Sequence, residues 1–250
     1  MELKPFSVFD KYINVQTENK TCICKKHGEY EAEFNVSNLE QITFCPKCLE
    51  EKELKQEREN QIKRYAQCNI EPEFYFKTFD NYVAETESQK KALLAVKKMV
   101  AEKHGKVILV GSNGVGKTML ASIAAKELAG KIYSMYEIST MIRQSYTIKA
   151  DKTELEIVRE LASIPFLAID ELGRTKNSET EQNWLSYILD KRHSRKLPFM
   201  LITNSHFKKF CKEGGCPKCF ENLMDNDILS RLHQDCSVVM MNDINDFRKK

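Results

Sequence analysis

No apolar stretch in the 250 residues reaches the roughly 18 needed to cross a bilayer, and the opening Met1-Glu2-Leu3-Lys4-Pro5 lacks the apolar core of a secretory signal. Both absences predict a cytoplasmic protein without a membrane partner. The net charge of +3 is too small to diagnose a nucleic-acid partner. Basic residues fall in short pairs such as Lys25-Lys26 and Lys208-Lys209, which read as solvated surface rather than one basic block. No internal repeat of the solenoid kind is found. What remains is an ordinary globular mix, 42% hydrophobic and 30% charged, long enough for one full-sized domain and a small one.

Cysteine, by contrast, is plentiful: nine residues. A reducing compartment disfavours disulfides, so cysteines at short spacing read as metal ligands. Cys24-x2-His27 and Cys45-x2-Cys48 are two knuckle-spaced pairs, matching the four ligands of a tetrahedral zinc site. Cys22 competes with Cys24, but only Cys24 gives the two-residue gap to His27. Four protein ligands leave no open position, so the zinc is structural. A second group, Cys211, Cys216 and Cys219, has His206 upstream and Cys236 downstream. Two readings stand there: a second zinc site whose fourth ligand is undecided, or free thiols buried in an insertion. Cys68 and Cys236 read as small hydrophobes.

Residues 1–48 hold four cysteines and, as their sole glycine, Gly28; they form the small zinc-binding N-terminal module. Residues 49–68 are almost wholly polar with high helix propensity and sustain no heptad, which predicts an exposed helical linker rather than a coiled coil. Beyond residue 69, apolar runs at 107–110, 131–135, 166–169, 199–202 and 237–240 alternate with helical patterns. That alternation predicts an α/β fold with a parallel sheet between helices. Thr86-Glu87-Ser88-Gln89 offers a capping box for one of the helices.

Gly111-Ser112-Asn113-Gly114-Val115-Gly116-Lys117-Thr118 matches the phosphate-binding loop in full, after an apolar strand and before an amphipathic helix. Glycines let backbone N–H groups wrap phosphate oxygens, Lys117 brings positive charge to the β- and γ-phosphates, and the Thr118 hydroxyl ligates Mg²⁺. Phe166-Leu167-Ala168-Ile169-Asp170-Glu171 delivers two carboxylates at a strand end. Asp170 would hold Mg²⁺ through water and Glu171 would activate the attacking water. Asn204, ending a further strand, would touch the γ-phosphate or that water. Asp170-Glu171-Leu172-Gly173 also fits a GTPase pattern, but the guanine-reading Asn-Lys-x-Asp sequence is absent, which favours ATP.

These blocks, with Asn69 to Phe74, Lys77 to Tyr82, Asp190-Lys191-Arg192 and Leu201 to Asn204, resemble bacterial and phage helicase loaders of the DnaC/DnaI type, relatives of the IstB transposition ATPases. The resemblance covers about residues 69–240. It implies that residues 69–250 form a P-loop AAA+ ATPase domain that associates with copies of itself. It implies Phe79 against the adenine, Arg192 as an arginine finger for a neighbouring subunit, and Arg231 as the sensor arginine of the lid. It also implies single-stranded DNA contacts from Arg143, Tyr146 and Lys149. The function implied is ATP-dependent loading of a hexameric replicative helicase in DNA replication, with ATP hydrolysis weak without partners. A transposition helper ATPase of the IstB kind and a non-hydrolysing nucleotide-switched adaptor are the alternatives. The Lys208–Asn226 stretch departs from the family by inserting cysteines, and position 191 is Lys where Arg is common.

Overall fold

The computed structural model describes residues 16–38, 41, 43–175, 178–212, 215, 216, 219–224, 226–232 and 235–241. The chain divides into two compact units, Met1–Ile62 and Lys63–Lys250.

In the first unit, β1 (Thr17–Cys24) and β2 (Gly28–Asn35) form an antiparallel hairpin, with Cys24 opposite Gly28 at its tip. Helix α1 (Pro46–Gln67), of which the residues up to Ile62 belong to this unit, begins with proline, whose missing N–H costs nothing at the first helical position. None of its 22 residues is buried, as its polar sequence demands. The hairpin was not anticipated from the sequence.

In the second unit, α2 (Glu87–Glu102), β3 (Lys106–Gly111), α3 (Lys117–Glu127), β4 (Lys131–Ser134), α4 (Met135–Gln144) and α5 (Glu154–Ser163) follow in order. Then come β5 (Leu167–Leu172), α6 (Glu179–Ser194), β6 (Phe199–Thr203), α7 (Asn226–Leu232) and β7 (Cys236–Met241). The five strands make one parallel sheet in the order β4-β5-β6-β3-β7. Each apolar run found in the sequence marks one of them, apart from Met135, which opens α4, and Phe166, which precedes β5.

Successive side chains of a strand point to opposite faces, and here both faces are buried. Val107 and Leu109 pack with Ala92, Val96, Leu120 and Ala124 from α2 and α3. Ile108 and Val110 pack with Ile138, Leu161, Leu185 and Ile188 from α4, α5 and α6. The result is a three-layer α/β sandwich. Four helices start on the same local device: Thr86, Ser134, Thr153 and Ser178 each cap a helix while Gln89, Glu137, Glu156 and Glu181 reach back to the cap backbone. Each box contributes on the order of 1 kcal/mol. It also explains why β4 is short, since Ser134 turns the strand directly into α4.

Candidate nucleotide site and metal centre

The phosphate loop leaves β3 and enters α3 through two residues with positive φ, Gly114 at 76° and Gly116 at 93°. A Cβ at position 116 would sit 2.8 Å from the Tyr82 ring, so conformation and space both require glycine there. Tyr82 is itself buried, and burial pushes its phenol up to about 12.

Lys117 is buried and donates from Nζ to the carbonyls of Gly111 (2.8 Å) and Ser112 (2.6 Å) and to Asn204 Oδ1 (3.1 Å). Asn204 donates from Nδ2 to Asn113 Oδ1 at 2.8 Å. One asparagine therefore bridges the lysine and the loop, from the end of a strand 87 residues away.

The Thr118 hydroxyl donates to Asp170 Oδ2 at 2.8 Å, and the Glu171 N–H donates to Asp170 Oδ1 at 2.6 Å. The β5–β6 register shifts between Ile169 and Leu172, and Glu171 has φ +56°. A bulge with a left-handed non-glycine residue is costly backbone, of the kind that re-aims side chains beside functional sites. Burial raises the Asp170 pKa, opposed by the Thr118 and Glu171 hydrogen bonds and by the Lys117 charge. Glu171 pairs with Arg174 three residues on, a partner the sequence reading missed.

Asn113, Gly114, Gly116, Lys117, Thr118, Asp170, Glu171 and Asn204 line one cavity of about 520 Å³. That volume is in the range of small-molecule sites. The donor set suits a magnesium–nucleotide: a hydroxyl beside a carboxylate, hard oxygen ligands, and a cationic Nζ at a helix N-terminus.

Two expected site residues are corrected. Phe79 does not line this cavity; it packs at the edge of the core, with Lys97 Nζ 5.6 Å from its ring centre. From this short helical turn, Phe79–Asn81, and the residues after it, Asn81, Tyr82 and Val83 line the cavity instead. Arg192 is completely buried, and its guanidinium donates to the carbonyls of Leu161 (3.2 Å), Ile164 (2.6 Å), Pro165 (3.4 Å) and Pro198 (2.6 Å). Burial lowers its pKa to about 9, which leaves it a cation at neutral pH. It satisfies carbonyls orphaned at the end of α5, and a side chain so enclosed cannot reach a neighbouring subunit's phosphate. The side chain of Arg231 lies outside the described ones.

Arg143, Tyr146 and Lys149 are all exposed, at the end of α4 and just beyond it. The Tyr146 hydroxyl bonds Glu154, and Arg143 lies 5.9 Å from the ring centre of Tyr136, an exposed aromatic that the sequence reading did not single out.

In the first unit, Cys24, His27, Cys45 and Cys48 come together with all ligand atoms within 4.8 Å of one another, and Cys22 is not among them. Cys24 Sγ lies 3.5 Å from Cys48 Sγ, and His27 Nδ1 lies 3.7, 3.6 and 3.3 Å from the sulfurs of Cys24, Cys45 and Cys48. A tetrahedral Zn²⁺ with ordinary bond lengths needs ligand separations of about 3.6–3.8 Å. The residues fit that ion. Backbone N–H groups of Lys26 and then His27 pull the Cys24 thiol down to about 6, favouring the ligating thiolate, while its contact with Cys48 pushes that thiol up to about 11. Glu51 accepts from His27 Nε2 at 3.2 Å, the carboxylate support that orients metal-bound histidines.

The family model described as IstB-like ATP binding protein matches residues 29–250. The replicative helicase loader DnaC of Escherichia coli strain K12 is 29% identical over 181 residues, covering 68% of this chain and 71% of its own. DnaC of Buchnera aphidicola subsp. Acyrthosiphon pisum is 29% identical over 139 residues, or 52% of this chain and 56% of that one. Among solved structures, the DnaC helicase loader aligns with TM-score 0.53 at 20% identity, covering 68% of this chain and 99% of its own. DnaI aligns at 0.54 and 22% identity, covering 68% and 94%. AMPPCP-bound DnaA from Aquifex aeolicus aligns at 0.56 and 18% identity over 72% of this chain, which spans 53% of that one. At such identities the structural likeness bears on the fold, an AAA+-like α/β arrangement.

Proposed function

Since this chain belongs to the family of IstB-like ATP binding proteins, we propose that it is an ATP-hydrolysing loader of a hexameric replicative helicase. The observation that carries this reading is the 181-residue likeness to DnaC loaders in a chain whose Lys117, Thr118, Asp170, Glu171 and Asn204 line one cavity.

In this reading the backbone N–H groups of residues 111–118 wrap the ATP phosphates, and Lys117 exchanges loop carbonyls for phosphate oxygens. Thr118 and Asp170 hold Mg²⁺, which when bound draws charge from the phosphates. Glu171, released from Arg174, takes the hydrogen bond of the attacking water, and Asn204 steadies the γ-phosphate. Asn81, Tyr82 and Val83 meet the base. Arg231 serves as the lid arginine.

Residues 1–48 act as the zinc-binding module, residues 49–68 as the helical linker, and residues 69–250 as the AAA+ ATPase domain. Ile23, Phe44, Leu49 and Leu54 are exposed apolar side chains, a composition suited to docking on the helicase. Copies of the ATPase domain assemble side by side, and turnover is weak without partners. Arg143 and Lys149 pair phosphates of single-stranded DNA while Tyr146 and Tyr136 stack on bases.

The test combines the full chain, a hexameric replicative helicase and single-stranded DNA, and measures helicase loading and ATP turnover. Loading by the wild type, lost in Lys117→Ala with nucleotide binding, is expected. Glu171→Gln should keep binding and lose turnover; equal turnover in both would point to an adaptor. Absence of any effect on loading ends the proposal. The IstB-like family description favours one second reading, a transposition helper ATPase, which would prefer duplex to single-stranded DNA in the same binding titration.

A further inference from the structure

Among its described residues, the stretch between β6 and α7 holds two short helical turns, Lys208–Phe210 and Phe220–Asn222, and four side chains from it converge. His206, Cys211, Cys216 and Cys219 bring one imidazole nitrogen and three sulfurs within 4.8 Å of one another. We propose that these four residues form a second zinc site, distinct from the one at the N-terminus and built into the ATPase unit.

The distances carry the argument. His206 Nε2 lies 3.4 Å from Cys216 Sγ and 3.5 Å from Cys219 Sγ, and the two sulfurs are 3.9 Å apart. Ligands of a tetrahedral zinc at ordinary bond lengths stand about 3.6 Å apart for N to S and about 3.8 Å for S to S. The Cys216 backbone N–H points at Cys219 Sγ, 3.3 Å away, and the Cys219 N–H returns to the Cys216 carbonyl at 3.0 Å. Cys216-Pro217-Lys218-Cys219 also repeats the Cys45-Pro46-Lys47-Cys48 spacing of the first cluster.

The fourth ligand, undecided in the sequence, is the histidine. His206 and Cys219 are held opposite each other by a parallel bridge, and the Phe220 N–H bonds the His206 carbonyl at 2.8 Å. Asn222 Nδ2 donates to the Cys216 carbonyl at 2.7 Å, and the rings of Phe207 and Phe220 lie 5.1 Å apart. Cys236 is not part of the cluster; it opens β7, where burial pushes its thiol up to about 12.

The position gives the site a consequence. His206 follows Asn204 by two residues, and Asn204 touches both Lys117 and Asn113. A metal at this point fixes the segment that leaves β6 directly beside the nucleotide cavity. The ligand class is a borderline, tetrahedral divalent ion, for which three thiolates and one imidazole select zinc over magnesium or calcium.

The test is metal content of the full chain purified without chelator, read by elemental analysis and by cobalt substitution. Two zinc ions per chain are expected, falling to one in Cys216→Ser/Cys219→Ser, one in Cys45→Ser/Cys48→Ser and none in the combination. Cys236→Ser should keep two. If the cysteine variants fold poorly, differential alkylation of wild type answers the same question: Cys211, Cys216 and Cys219 should be protected until a chelator is added. One zinc per chain with those three cysteines freely alkylated overturns the site. Neither readout depends on the loader reading, so either can fail alone.

Discussion

Between Gln16 and Ile62 only Ala32 and Cys45 are buried apolar side chains among the described residues, whereas the second unit buries two continuous clusters, one on each face of its sheet. A hairpin and a solvated helix cannot repay their chain entropy with so little core. The second unit can, because each of its central strands is covered on both faces. The comparison teaches that similar Cys/His clusters carry different burdens: in the first unit a bound ion would substitute for a core, and in the second it would trim a loop on a core already made.

The strongest way to break this contrast is metal removal. Structural zinc supplies on the order of 10–16 kcal/mol of apparent binding free energy, so a chelator should unfold residues 16–62 while the strands and helices of the second unit's sheet core stay protected from protease and hydrogen exchange. Equal protection of both units would erase the distinction.

Next in size is a cavity in the second unit. Phe166→Ala, at a completely buried position, should cost about 3–5 kcal/mol of that unit's stability in denaturant unfolding. The zinc stoichiometry of the first unit should not change.

Arg192→Met sharpens the comparison from within the second unit, since it strands four carbonyls without making a large void. A loss of about 2–4 kcal/mol is expected, with nucleotide affinity per folded molecule retained. A fully stable variant with reduced turnover only in assembled protein would return the residue to a catalytic role.

The smallest effect belongs to Glu51→Gln. It should weaken zinc binding about 10-fold by loosening His27, as measured by chelator competition. The thermal stability of the second unit should be unaffected.

The sequence made local matters plain and partner choice obscure. The meeting of Lys117 with Asp170 was legible because a glycine loop after a strand and an acidic strand end share one edge of any parallel α/β sheet. The strand positions were legible because two-sided burial leaves unbroken apolar runs. Phe79 was misjudged because spacing in a motif does not tell which residues around one short turn line a cavity, and here they are Asn81, Tyr82 and Val83. Arg192 was misjudged because position in a motif carries no information about burial. Glu51 on His27, Arg174 on Glu171 and His206 on Cys219 went unseen or undecided, since side-chain pairing depends on how a loop closes in space.

The strand that feeds the phosphate loop has both its sheet neighbours far downstream, β6 on one edge and β7 on the other. On the ribosome, Lys106–Gly111 therefore emerges with two bare edges that stay open until Phe199 and then Cys236 have been made. A chain cut short before β7 should therefore present a stray edge in search of a partner.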